Sequence, residues 1–292
     1  MKTTEKQKTE LTKTASPKEF IERNTLRGLW AVCRDWIIIA GAVTVSIIAD
    51  HWVVWIATVC VIGIMQFALA EAVLHEASHY NLFRSRKLHH RLQFLYAWPF
   101  LQTMKDYQEE HLAHHRFLMT RQDQTTEDYR RYGLHDNPNL FYIWLVKPLT
   151  LFPTWNYIRY GNAALDKSNW TALGLYWGIL LASFTALGQA HNLVLYWIIP
   201  LFWVYPILNY WSEIEEHYNT QYGSRSNLGR VLNFLTHNEG YHTVHHRYPT
   251  IPFYNLPKAH ETLVGEDADI SYGFLDTYRQ ISRPNYISTK SV

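Results

Sequence analysis

The sequence predicts an all-α integral membrane fold: two transmembrane helical hairpins, four spans in all, with a cytoplasmic cap of histidine-rich helices. Three observations predict it. All 27 Lys and Arg residues of the 292-residue chain fall in three blocks, 8 in residues 1–34, 12 in 84–167 and 7 in 225–292. The windows between them, 35–83 and 168–224, hold none, are rich in Ile, Leu, Val, Ala, Trp and Tyr, and are each long enough for two spans of about 20 residues. Nine of the 16 histidines gather in tight groups in or beside the charged segments. A mean hydropathy of −0.22 conceals this division, because it averages the apolar windows with very polar blocks.

The elements follow in order. Residues 1–15, mostly Lys, Thr, Glu and Gln, are expected to be a disordered polar tail rather than a signal peptide, and 16–292 a single membrane-embedded domain. Ser16-Pro17-Lys18-Glu19 is a capping box with Pro at the first helical position, so a helix is expected to begin there. The first window divides at Asp50-His51, predicting spans over 36–49 and 52–74. The second divides at Gly188 to Asn192, predicting spans over 170–187 and 193–211, with Pro200 and Pro206 kinking the latter. Neither short turn carries Lys or Arg while every longer connection does, which puts both termini and the histidine-bearing segments on the cytoplasmic side.

Trp30, Trp36, Trp52, Trp55, Trp170, Trp177, Trp197 and Trp211 lie near the ends of these arms, where amphipathic rings suit the membrane interface. Two shorter apolar stretches, 92–101 and 141–157, are broken by Pro99, Pro148 and Pro153 and are expected to lie on or dip into that interface. Two cysteines exclude a disulfide scaffold, and Cys33 and Cys60 are expected to be small buried hydrophobes. Aromatic residues make up 15% of the chain, which excludes global disorder, and a net charge of +2 without a basic stripe excludes a nucleic-acid partner.

The chemistry is in the histidines. His75 and His79 follow the second span; His111, His114 and His115 form a His-x-x-His-His box; His217 follows the fourth span; His242, His245 and His246 repeat the box. On a helix, positions i, i+3 and i+4 face one way, so each group presents two or three imidazoles to one metal region. At this histidine content chance would supply roughly 0.05 copies of His-x-x-His-His, and there are two. Nine neutral imidazoles exceed the four to six ligands one zinc or iron takes, so two metals are expected, and thiolate-free nitrogen ligation suits iron, copper or zinc.

These residues resemble the integral-membrane fatty acid desaturase and hydroxylase superfamily, over about 36–260. The likeness is close at His75-Glu-Ala-Ser-His79, His111-Leu-Ala-His114-His115, Glu216-His217-Tyr218 and Asn238-Glu-Gly-Tyr-His242-Thr-Val-His245-His246. The resemblance implies a centre of two iron ions ligated by His75, His79, His111, His114, His115, His217, His242, His245 and His246. It further implies O2 as co-substrate and a double bond introduced into a fatty acyl chain or another lipid-like molecule. Hydroxylation or ketolation of a lipid or carotenoid is the alternative within the superfamily. Acyl-CoA desaturases of the superfamily carry an asparagine four residues before the isolated histidine, joined to the site through water. Here that position is Glu213, which leaves three readings open: ligand, acceptor behind a ligand, or helix-surface carboxylate.

Glu76, Glu110, Asp123, Asp128, Glu215 and Glu239 are close enough in sequence to accept hydrogen bonds from ligating rings. His89 and His90 follow a basic run and are expected at the surface or on lipid headgroups, while His51, His135, His191, His237 and His260 stand alone and are expected to be structural. The sequence contains no glycine-rich dinucleotide fingerprint and no iron–sulfur cysteine set, so electrons are expected from a separate ferredoxin or cytochrome b5-like donor. Two rival readings remain. His75-Glu76-x-x-His79 matches the zinc-protease pattern with Glu76 as general base, although seven further histidines would then lack a purpose. A metal transporter would place ionisable ligands within its spans, where Glu71 is the main exception to an otherwise apolar sequence.

Overall fold

The computed structural model describes residues 16–135, 137–161, 167–265 and 267–283; the polar tail expected over 1–15 lies outside them. The described chain is mostly helical. Ser16 and Glu19 form the expected capping box, but the turn they start, Pro17–Phe20, is a single 3-10 turn. The first long helix, α1 (Thr25–Ala49), begins instead at Asn24, whose side chain accepts the backbone N–H groups of Leu26 and Arg27. It therefore starts well before the expected span over 36–49. Asp50 in the left-handed region (φ 42°) ends it, and the His51 ring accepts the Val53 N–H to start α2 (Trp52–Ser78).

Within α2, Ala68–Val73 is a π turn, which places one more residue in that turn than an α-helix would hold. The next elements are α3 (Arg86–Leu92), α4 (Met104–Phe117), α5 (Gln124–Tyr132) and α6 (Phe152–Tyr160). The helix α7 (Lys167–Ala186) leads to α8 (Ala190–His217), which has a π turn at Val194–Ile198. Four shorter helices close the described chain: α9 (Arg230–Leu235), α10 (His242–Arg247), α11 (Leu256–Leu263) and α12 (Phe274–Ile281).

Among the described residues, three helices, α1, α2 and α8, are long and apolar enough to cross a membrane. The third expected span, 170–187, forms as α7, but Ser168, Asn169 and two glycines dilute its apolar run and it is not one of the three. The central helix is α2, with 56% of its apolar window enclosed against 28% for α1 and 39% for α8. Gly63 sets its approach to α8: a Cβ there would stand 2.4 Å from Val204 Cβ, so only hydrogen lets the two helices come so close. Gln66 donates to Trp197 O at 3.1 Å, pairing a buried amide N–H with a carbonyl of the π turn. Pro206 has no N–H to offer Phe202 O, and the Thr154 hydroxyl donates to that carbonyl at 2.6 Å instead.

Several expectations change. Cys33 and Cys60 are exposed, because the faces of α1 and α2 that carry them are not covered by other helices. Trp30, Trp52 and Trp170 are exposed as interface residues should be, whereas Trp36 and Trp197 stack on each other at 5.2 Å inside the bundle. Beyond Leu92, the stretch to 101 forms short 3-10 turns rather than a surface helix; Tyr96 and Phe100 are fully buried, and the Trp36 and Trp177 indoles donate to Leu95 O and Trp98 O. The fold is also not purely α: β1 (Arg225–Asn227) pairs in parallel with β2 (Asp269–Ser271). Strands of three residues carry too little periodicity to be seen in sequence.

Candidate metal centre

His75 lies in the last turn of α2 and His79 is its C-terminal cap, and Tyr80 (φ 56°) turns the chain away behind them. His111, His114 and His115 lie on α4, whose start is capped by the Thr103 hydroxyl accepting the Asp106 N–H. His217 is the last residue of α8. The third box depends on the short sheet. Asn227 donates from its backbone to Gly240 O at 2.8 Å and Ser226 Oγ accepts the Thr243 N–H, tying the start of α10 to β1. A Cβ on Gly240 would lie 2.3 Å from Asn227 O, so no other residue fits that approach.

The structure brings all nine box histidines together, in two groups. The ligand-type nitrogens of His75, His79, His111, His115 and His245 lie within 4.8 Å of one another, and so do those of His114, His217, His242 and His246. Each His-x-x-His-His box thus serves both groups, its i and i+4 rings going to one and its i+3 ring to the other. In the first group His75 Nε2 and His245 Nε2 are 2.8 Å apart, His79 and His111 2.9 Å, and His115 lies 3.0 Å from both His111 and His245. In the second, His217 Nε2 is 3.1 Å from His114 Nε2 and 2.9 Å from His242 Nε2.

The far ring nitrogens show how several rings are oriented. His75 Nδ1 donates to Glu239 Oε1 at 2.6 Å, His114 Nδ1 to Asp123 Oδ1 at 3.0 Å, and His217 Nδ1 to Gly223 O at 2.9 Å. A ring that donates from Nδ1 keeps a lone pair on Nε2. Facing lone pairs less than about 3.1 Å apart repel unless a cation lies between them, and two ligands on perpendicular bonds of about 2.0–2.1 Å stand about 2.9 Å apart. The donor sets therefore fit a divalent metal in each group. Burial, reinforced by neighbouring imidazoles, holds His111, His242, His245 and His246 well below the usual imidazole range and His115 at about 3, so these rings are neutral and free to ligate.

The candidate acceptors divide. Glu239 and Asp123 hold ligand-type rings, as above. Burial raises Asp123, but the His114 ring and the N–H groups of Met119 and Thr125 outweigh it and bring the carboxyl below its ordinary range. Glu76 instead accepts the Phe253 N–H, Glu215 accepts from Asn227, and Asp128 pairs with Arg131. Glu76 is thus held by the Phe253 N–H, and His75 and His79 belong to a cluster of five imidazoles rather than to a site of two histidines. Glu213 joins no cluster; it lies half-buried, accepting from the Tyr132 hydroxyl and Asn209.

Glu216, not among the expected acceptors, clusters with Glu239 and His242, its Oε2 3.5 Å from His242 Nε2. Its place directly before His217 was the one available signal. His89 is buried rather than superficial: its Nε2 accepts the Phe83 N–H at 3.0 Å and its Nδ1 donates to Ser85 O, a local turn the basic run concealed. His237 is buried against Asp35 at 2.7 Å, joining the segment before the third box to α1.

A cavity of about 210 Å³ opens against both histidine groups and is walled by α2, α4, α5, α6 and α8. Glu110 borders it, raised to about 7 by burial and then by the charges of Asp128 and Glu71. Glu71, in the π turn of α2, accepts the hydroxyls of Tyr205 and Tyr107 on the same wall.

Fold and site together define a helical protein with membrane-spanning candidates and a buried, all-imidazole pair of ligand clusters at the ends of those helices. The fatty acid desaturase family model matches residues 50–277, and the chain belongs to that family. It is 27% identical over 270 residues to dihydrorhizobitoxine desaturase of Bradyrhizobium elkanii, covering 81% of this chain and 75% of that protein. It is 26% identical over 233 residues to a fatty acid desaturase of Bacillus subtilis, covering 65% of this chain and 62% of that one.

Proposed function

We propose that the chain is a membrane-bound, O2-dependent desaturase that uses two iron ions, one in each histidine group, with all nine box histidines as ligands. The observation that carries this reading is the pair of adjacent nitrogen clusters in a chain of this family. Bound iron supplies the capacity to activate dioxygen, which no side chain has. The overall reaction balances when two hydrogens leave neighbouring carbons and dioxygen, taking those two hydrogens together with two electrons from a one-electron carrier protein and two protons from solvent, becomes two waters.

The chain's own residues bind, orient and dry the site. Glu239, Asp123 and Gly223 O fix three rings so that their Nε2 atoms face inward. Burial of His75, His242 and His245 keeps bulk water from one side, and the cavity holds the substrate against the other. The relatives are named for a fatty acid and for dihydrorhizobitoxine, so both an acyl chain and another molecule are open as substrate. We place four spans in the membrane, α7 included, with both termini and the histidines on the cytoplasmic side, from the distribution of Lys and Arg. The electron donor is a separate ferredoxin or cytochrome b5-like protein.

Elemental analysis of detergent-purified protein, expressed with ample iron, tests the reading. About two irons per chain is the expected result. A single zinc that survives dialysis overturns it.

A further inference from the structure

The cavity beside the histidines is walled by tyrosine and proline rings interleaved with carboxyls and amides. Among the described residues, none of its lining side chains is Leu, Ile, Val, Met, Phe or Trp, and none is Lys or Arg. A bare hydrocarbon there would leave the buried amide oxygens of Gln102 and Asn156 without a donor. A phosphate-bearing carrier would find no cation. What the walls offer is acceptors. Of the carboxyls, Asp128 is paired with Arg131, while Glu216 and Glu239 lie against the histidines. Among the described residues, Glu71 and Glu213 accept only from neutral donors, the tyrosine hydroxyls named above and Asn209. Two amide oxygens on the same wall, Gln102 Oε1 and Asn156 Oδ1, are buried and have no donor among the described residues. Six tyrosines add ring faces.

An ammonium group matches this wall: three donors, no acceptor, a charge for the carboxyls and affinity for aromatic faces. Tyr132 marks the place, since its hydroxyl donates to Glu213 and receives a hydrogen bond from Asn156 Nδ2 at 3.5 Å. We propose that the substrate carries a protonated amine, seated between Glu213 and Asn156 beside Tyr132, with its reacting carbons toward the histidines. The inference rests on the desaturase reading for the chemistry, and on the cavity alone for the substrate. A volume of about 210 Å³, below the about 300–1,000 Å³ typical of sites for drug-sized ligands, suits a compact amine.

Calorimetric titration of the iron-loaded, full-length protein in detergent with butylamine, butanol and butyrate tests this. Butylamine is expected to bind at least about tenfold more tightly than butanol, with butyrate undetectable. Glu213→Gln is expected to cancel the amine's advantage while iron per chain stays unchanged. Equal affinities for amine and alcohol, or a preference for butyrate, overturn the proposal; if Glu213→Gln does not fold, the wild-type comparison decides alone. Two irons without amine preference remove the substrate inference and leave the desaturase reading standing. Amine preference in a chain that binds only zinc does the converse.

Discussion

Glu239 Oε1 lies 2.6 Å from His75 Nδ1, although 163 residues separate them. The segment that leads into the third box therefore orients a ring of the first. Glu239→Gln replaces a carboxylate that accepts from the His75 ring with a neutral amide, whose oxygen is a weaker acceptor and whose NH2 group cannot accept at all. Metal affinity is expected to fall about 10- to 100-fold, as for other such partners of ligating histidines. Metal content after graded dialysis, with circular dichroism to confirm retained helicity, checks this.

The division of each box between two groups predicts unequal effects of neighbouring substitutions. His115→Ala leaves four imidazoles in its group, whereas His114→Ala leaves three in the smaller one. Iron per chain is expected to fall from about two toward one in His114→Ala and to fall less in His115→Ala. Equal losses in both variants would contradict the assignment of the two rings to different metals.

Gly63 and Gly41 are both glycines in apolar helices, but only Gly63 lacks room for a Cβ. Gly63→Leu is expected to destabilise the packing of α2 on α8 by about 1–3 kcal/mol or more, whereas Gly41→Leu, facing open space, leaves stability nearly unchanged. Thermal unfolding in detergent compares them.

His89 is outside the metal groups and is lowered to about 4, chiefly by burial. An unfolded chain takes up its proton near pH 6.5, which the folded His89 refuses until about pH 4, so its contribution to stability is present above pH 6.5 and lost as pH falls from there toward 4. The melting temperature of the wild type is expected to drop more steeply across that window than that of His89→Gln. Parallel slopes would show that His89 does not titrate there.

Much of this was legible in the chain. The break at Asp50-His51, the capping box at Ser16 and the four histidine groups are local patterns, and local patterns survive folding. What escaped depended on partners distant in sequence. Which ring of a box serves which cluster depends on how α4 and α10 are placed against the other helices, which no spacing encodes. Cys33 and Cys60 sit in apolar runs, and an apolar run does not distinguish a face against lipid from a face against protein. His89 reads as basic and superficial until the turn of Phe83 folds over it. Glu213 was left with three readings, and its place on the cavity wall emerges only once α5 brings Tyr132 across to it.

The π turn at Ala68–Val73 gives α2 two rotational phases in one continuous rod. Each residue of a helix advances about 100° around its axis, so one additional residue turns everything beyond it by about that angle. Upstream of the turn the phase suits Gly63 against Val204; downstream it suits His75 and His79 in their cluster. Deleting one residue between 68 and 73 would leave the upstream contacts in place and swing both imidazoles about a quarter turn away. The extra residue thus works as a mechanical offset that lets helix packing and histidine aim be set separately.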